Sequence, residues 1–372
     1  MRLIDEVEKQ RHHVVVDSYS ATWSELMAQY AAADIEIDPA YQRAFRWDVE
    51  QQTKYLESLL LNIPTPPIFL AEKQTGAFEV IDGLQRFSTV IKFFSAEIFQ
   101  NSVAASNIKT AKLSKTEVND IRVPTVLADA PILTGLEGLS RESMPETLVR
   151  TLRYSRVHII LLKKESSKLA RYNVFTRLNR SGTTLSNQEI RNCSARLFDI
   201  GFPNKLMAMA ELPSVEAALG LSSKESSSMG AQESILRLLS FGHFSPQTKS
   251  IEEFLDSVMY QASSGEFDFT RRIENNLLST FEAISEACPN GEAFKFYRKS
   301  KFGGGFSTNL FDIVGCGLYK NIAKIKRKTP AQIRARIIEL HEQEDAMKLT
   351  GAGSNTKAKM LGRVKFGEKW FS

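Results

Sequence analysis

In VIDGLQRFSTVIKFF (residues 80–94), Asp82 and Gly83 close an apolar run, and Arg86 falls in the first turn of the helical pattern that follows. A helix start presents backbone N–H groups and partial positive charge, so it readily takes an anion. Glycine lets that anion approach the backbone. An arginine adds a permanently charged, bidentate clamp suited to phosphate. Asp82, at the end of the run, would hold Mg²⁺ or accept a hydrogen bond from a sugar hydroxyl. The implied ligand is a phosphate-bearing molecule, a nucleotide or a nucleic acid. An ordinary Asp-Gly turn with a surface arginine would show the same three residues.

Two other clusters have related chemistry. DPAYQRAFRW (38–47) sets Arg43 and Arg46 among aromatics just before a helix. FTRLNRSGTTLSNQEI (175–190) carries Arg177, Asn179 and Arg180 ahead of a Ser-Gly-Thr-Thr turn, and Ser186-x-x-Glu189 then has the spacing of a capping box. Taken singly, Arg43 would equally pair with a carboxylate and Asn179 would equally cap a helix.

The elements that must position these residues read as mixed in the first third of the chain. A helix is expected from Thr22 to Ala33, capped by Ser20 or Thr22. A short strand follows at Ile35–Ile37, then a helix from Asp48 with Leu56, Leu59 and Leu60 as its apolar stripe, stopped by Pro64, Pro66 and Pro67. PPIFLAEK and GAFEVID read as strands joined by a hairpin turn at Gln74-Thr75-Gly76, and a helix runs from Leu84 to Phe94. RVHIILL (156–162) is apolar at nearly every position and reads as a central strand, with His158 expected in the core or at an edge. Beyond it the pattern is helical, the last long segment being 329–349, broken by Gly-rich or polar stretches at 301–307 and 350–359.

Composition and charge exclude several classes. The chain has 372 residues, 42% hydrophobic and 24% charged, with no apolar run long enough to span a membrane. Its charged opening lacks an apolar signal core, and Cys193, Cys288 and Cys316 are far apart, which together suit a cytoplasmic protein with free thiols. There is no Gly-x-x-x-x-Gly-Lys-Ser/Thr loop and no Gly-x-Ser-x-Gly elbow. The net charge of +5 is uneven: residues 295–372 carry 17 Lys+Arg against 6 Asp+Glu. KFYRKSKFGGG (295–305), KIKRK (324–328) and KAKMLGRVKFGEKW (357–370) interleave cations with aromatics. That pattern fits DNA contact through Lys324, Lys326, Arg327, Lys328, Lys357, Lys359, Arg363 and Lys365, or simply a solvated basic face.

In order along the chain, IxPxYQRxFxW, a helix, IPxPPIFL, IDGxQR and VFxRLNxxGxxLSxxEI resemble the N-terminal-domain family of GmrSD-type restriction endonucleases. This is the DGQQR-motif group allied to the ParB and sulfiredoxin-like fold. The likeness covers about residues 18–200, and the family usually shows Gln where this chain has Leu84. It implies an α+β fold with a small ParB-like mixed-sheet domain, set at 1–165, and the helical patterns beyond it read as a mostly α-helical domain over 166–372. It implies that Asp82, Gly83, Gln85 and Arg86 line a nucleoside triphosphate site, joined by Gln42 and Arg43 and by Arg177 and Asn179. Asp82 and Arg86 would be the catalytic pair, with Asp82 on Mg²⁺ or another divalent cation. The activity implied is NTP binding or hydrolysis coupled to DNA restriction or sensing in defence against phage.

Many relatives add an HNH-type nuclease domain with closely placed histidines. None of the five histidines here has such a context, and His341 is expected to be solvent-exposed on a charged helix. Cleavage would then come from the α/β domain itself or from a separate nuclease or defence subunit; oligomerisation is open. The competing expectations are a non-catalytic nucleotide-sensing regulator and a ParB-like pocket that binds DNA phosphate directly.

Overall fold

The computed structural model describes residues 3–5, 7, 13–37, 45, 47–99, 120–180, 186–196, 198–199, 201–246, 250–350 and 357–372. The chain divides into two compact units, Met1–Gly182 and Thr183–Ser372. The first is built on a mixed sheet and the second is almost wholly helical, so the class is α+β.

The first unit contains β1 (Val16–Thr22), α1 (Trp23–Ala31), β2 (Ile35–Glu36), α2 (Val49–Leu60), β3 (Ile68–Glu72), β4 (Phe78–Asp82), α3 (Leu84–Phe93), α4 (Glu146–Tyr154), β5 (Arg156–Leu162) and α5 (Lys168–Arg180). The five strands lie in the order β1-β5-β3-β4-β2. β1–β5 and β3–β4 are antiparallel, while β3–β5 and β2–β4 are parallel. The expected hairpin joins β3 to β4, with Gly76 at φ 90° and the Lys73 N–H donating to the Ala77 carbonyl at 2.8 Å.

Local chemistry fixes the helix starts. Thr22 and Glu25 form a reciprocal capping box on α1, and Asp48 and Gln51 form another on α2. Trp23, fully buried, packs between Tyr55 and Phe87, with ring centroids 6.5 and 5.8 Å away. It thereby ties α1, α2 and α3 into one core. β5 is interior to the sheet as expected, but Arg156 and His158 at its start are exposed. His158 is therefore not a core residue: it sits on the open face of an alternating strand whose Val157, Ile159 and Leu161 point inward.

The main helices of the second unit are α6 (Asn187–Arg196), α7 (Gly230–His243), α8 (Ile251–Ser264), α9 (Arg271–Ala287), α10 (Thr308–Lys320), α11 (Pro330–Leu340) and α12 (Lys357–Trp370). A small hairpin, β6 (Phe296–Arg298) and β7 (Lys301–Gly303), interrupts them. Ser186 and Glu189 exchange the hydrogen bonds of the predicted capping box on α6. α10 and α12 pack at backbone distance because Gly317 and Gly367 face each other; a Cβ on Gly367 would fall 2.0 Å from the Ile313 carbonyl oxygen. The three cysteines are free and buried, and burial pushes the Cys288 thiol up to about 11. No helix among the described residues is long and apolar enough to cross a membrane.

Candidate functional site

The strand-to-helix junction is built from β4, α3 and the proline-rich loop before β3. Asp82 ends β4 opposite Phe69, and the β3–β4 register shifts between Phe69 and Leu70 at that point. Such irregularities re-aim a side chain at a strand end. Gly83 follows at φ 91° as the N-cap of α3, a left-handed conformation that glycine adopts without strain. The first turn of α3 thus begins two residues after Asp82.

Arg86 turns back across this junction. One guanidinium nitrogen donates to Asp82 Oδ2 at 3.2 Å, and another donates to the carbonyls of Pro66 and of Pro67, the latter at 3.0 Å. The expected phosphate clamp is therefore also the tie that fixes the IPTPP loop to α3. Tyr55 lies near this charge, and burial pushes its hydroxyl well above the usual phenol range despite the opposing effect of Arg86.

Gln85 connects the junction to the first motif. Its side-chain oxygen accepts from the Trp47 N–H at 3.1 Å, and the Gln52 amide donates to the Trp47 carbonyl at 2.8 Å. Phe45 is fully buried. The end of the DPAYQRAFRW segment is thus anchored against the first turn of α3. Gln42, Arg43 and Arg46 themselves lie outside the described residues. From the third motif, Arg177 is exposed on α5, a helix that packs against β4, the strand ending at Asp82. The side chains of Asn179 and Arg180 lie outside the described residues.

Residues 24–195 match the family model described as the GmrSD restriction endonuclease, N-terminal domain. Over those residues the chain is similar to that N-terminal domain. No curated protein and no solved structure matches the chain. The match spans the sheet unit from α1 onward and reaches α6.

The junction offers, among the described residues, one carboxylate, Asp82. Among the described residues no group of three or more His, Cys, Asp or Glu is placed to hold a metal ion. A magnesium ion arriving with a triphosphate fits that arrangement, since it takes one or two protein carboxylates and fills its remaining positions with phosphate oxygens and water.

Sequence reasoning missed the Pro66 and Pro67 carbonyls as partners of Arg86. Only the proximity of a proline-rich loop in the motif order hinted at them, because backbone acceptors leave no side-chain signature. It also missed Arg171, buried on α5, which donates to the Glu72 carbonyl at 3.0 Å and fixes that helix to the end of β3.

In the second unit Lys324, Lys326, Arg327, Lys328 and Lys365 are exposed, and Lys357 and Lys359 are half-buried. Arg363 is not a DNA-facing residue. It is wholly buried, with Nε donating to Asp312 Oδ2 at 2.9 Å and Nη1 to the Leu349 carbonyl at 3.2 Å. Arg237 from α7 binds the same carboxylate. His341 is likewise not solvent-exposed: it follows α11 and packs among the rings of Phe296, Tyr297 and Phe302.

Proposed function

We propose that this protein is a nucleotide-binding, NTP-hydrolysing component of a DNA restriction system in anti-phage defence, acting on DNA under control of the nucleotide. The observation that supports this most is the Asp82–Gly83–Arg86 junction. It joins a half-open carboxylate, a left-handed glycine and a helix N-terminus in a domain of the restriction family. The triphosphate would lie over the first turn of α3, where amide groups and the helix field favour negative charge. Asp82 would take Mg²⁺ or a sugar hydroxyl, and Arg177 would add an exposed cation from the third motif. Exposed cations of the helical unit, Lys324, Lys326, Arg327, Lys328 and Lys365, would meet DNA phosphates.

One observation favours a second reading, nucleotide sensing without turnover. Arg86 already holds Asp82 and two carbonyls, so its role in stabilising a transition state requires those bonds to exchange. Phosphate release with each of the four nucleoside triphosphates, with and without duplex DNA, separates the readings. Hydrolysis that falls at least about tenfold in Arg177→Ala, a surface change expected to alter stability by only about 0.5 kcal/mol, supports the enzyme. Binding without phosphate release assigns a sensor, and neither binding nor release contradicts both.

A further inference from the structure

The β6–β7 hairpin has features that its own unit does not require. Phe296 pairs with Gly303, Tyr297 with Phe302 and Arg298 with Lys301, leaving Lys299 and Ser300 as a two-residue turn. Both turn residues have positive φ, 50° and 60°, a position where Asn-Gly or Asp-Gly is the favoured choice. The base of the hairpin is firmly seated. The Tyr297 and Phe302 rings lie 4.9 Å apart, both pack on His341, and Arg334 lies over Phe302 at 5.2 Å. The aromatics therefore serve as the anchor and the cations form the tip.

Arg298, Lys299 and Lys301 are all exposed, and residues 295–305 contain no acidic side chain. Among the described residues none of the three cations forms an ion pair. Three glycines then follow. Gly304, at φ 91°, needs its glycine, but Gly303 and Gly305 have no positive φ, and a Cβ on either would meet nothing within 4 Å. Two side chains are missing where the fold has room for them. Bare backbone beside a cationic tip lets another chain approach closely.

We infer that this hairpin is a DNA-binding ribbon whose tip enters the major groove of a duplex. Arg298, Lys299 and Lys301 engage phosphates, and the Gly303–Gly305 run lies against the sugar–phosphate chain. The groove of B-form DNA, about 12 Å wide, admits a two-stranded ribbon. The deep, narrow major groove of A-form RNA does not, which sets duplex DNA ahead of RNA. The inference rests on the reading that this protein acts on DNA, and it adds the contacting residues and the mode of entry.

Fluorescence anisotropy of a short labelled duplex, across a salt series, tests it on the full chain. Two variants are needed: Arg298→Gln with Lys299→Gly and Lys301→Gln, and Gly303→Ala with Gly305→Ala. The charge variant should bind about tenfold or more weaker at low salt, with a salt slope shallower by about 2.7 for three lost phosphate contacts. The alanine variant should bind more weakly while its thermal midpoint stays unchanged or rises, because alanine restricts the unfolded chain and meets no obstacle in the folded one. Unchanged affinity and slope in the charge variant would overturn the ribbon but leave DNA binding to another surface. Wild-type affinity in the alanine variant would overturn the groove mode. A wild type that binds polyglutamate and not DNA, or neither, would overturn the ribbon and the DNA reading together, while nucleotide binding is scored separately by calorimetry.

Discussion

Asp312 in the helical unit and Asp82 in the sheet unit are both paired with arginine, but the two pairs are built differently. Asp312 is wholly enclosed and takes two guanidiniums, Arg237 from α7 and Arg363 from α12. Asp82 keeps 24% of its side chain exposed and takes one, Arg86, itself 11% exposed. Enclosure by two cations leaves the Asp312 carboxylate fully engaged, so it fixes a three-helix crossing and nothing else. The half-open carboxylate beside a left-handed glycine and a register shift keeps an edge toward solvent. Charge pairing alone thus does not mark a site; its degree of enclosure does.

The contrast is broken most severely at the enclosed end. Asp312→Ala leaves two arginines buried without their carboxylate, and should cost about 3–5 kcal/mol. Denaturant unfolding should show the loss, and a change under 1 kcal/mol would mean the triad contributes little. At the open end, Arg86→Ala removes charged hydrogen bonds to two carbonyls and to Asp82, with an expected cost of about 2–3 kcal/mol. Hydrogen exchange should place the loosening at the start of β3. A variant with unchanged protection there would show that Arg86 is free to serve a ligand alone.

The smallest effect concerns pH. His341 is held below its ordinary value of 6.5 by burial and then by the charge of Arg298, and its Nδ1 accepts from the Tyr297 N–H at 3.5 Å. A depressed pKa means the fold favours the neutral ring. Its contribution is therefore complete above pH 6.5 and is lost as pH falls through the lower folded value. The protection of the Tyr297 amide, relative to its intrinsic exchange rate at each pH, should fall over that range and should lose this dependence in His341→Gln.

Much of the first unit was legible because its signals are local. Asp48 sits at a helix start, the β3–β4 turn carries Gly76, and β5 is an apolar run; in the second unit Ser186 sits at capping-box spacing. β1 was not legible: VDSYSAT is a largely exposed edge strand, defined by its pairing with β5 and not by alternation. α10 and α12 were obscured by Gly315, Gly317, Gly362 and Gly367, of which Gly317 and Gly367 serve close helix contact. The expected helix over 329–349 breaks after Leu340, where His341 turns into the aromatic cluster of the hairpin.

At the candidate site, spacing alone singled out Asp82, Gly83 and Arg86. What it lacked were long-range partners: the Pro66 and Pro67 carbonyls for Arg86, and Trp47 for Gln85. Arg363 failed for the same reason. In sequence it looks like the surface lysines around it, and only Asp312, 51 positions away, shows that it is interior.

Calorimetric titration of the four nucleoside triphosphates with Mg²⁺, into wild type and Asp82→Asn, tests the central claim most directly. The junction predicts saturable heat with at least one of them, at a dissociation constant on the order of 1–100 μM. Binding should weaken about tenfold or more in the near-isosteric variant, whose thermal transition shows that it is still folded. No heat with any triphosphate, or equal binding by the folded variant, would contradict the assignment of this junction as the nucleotide site.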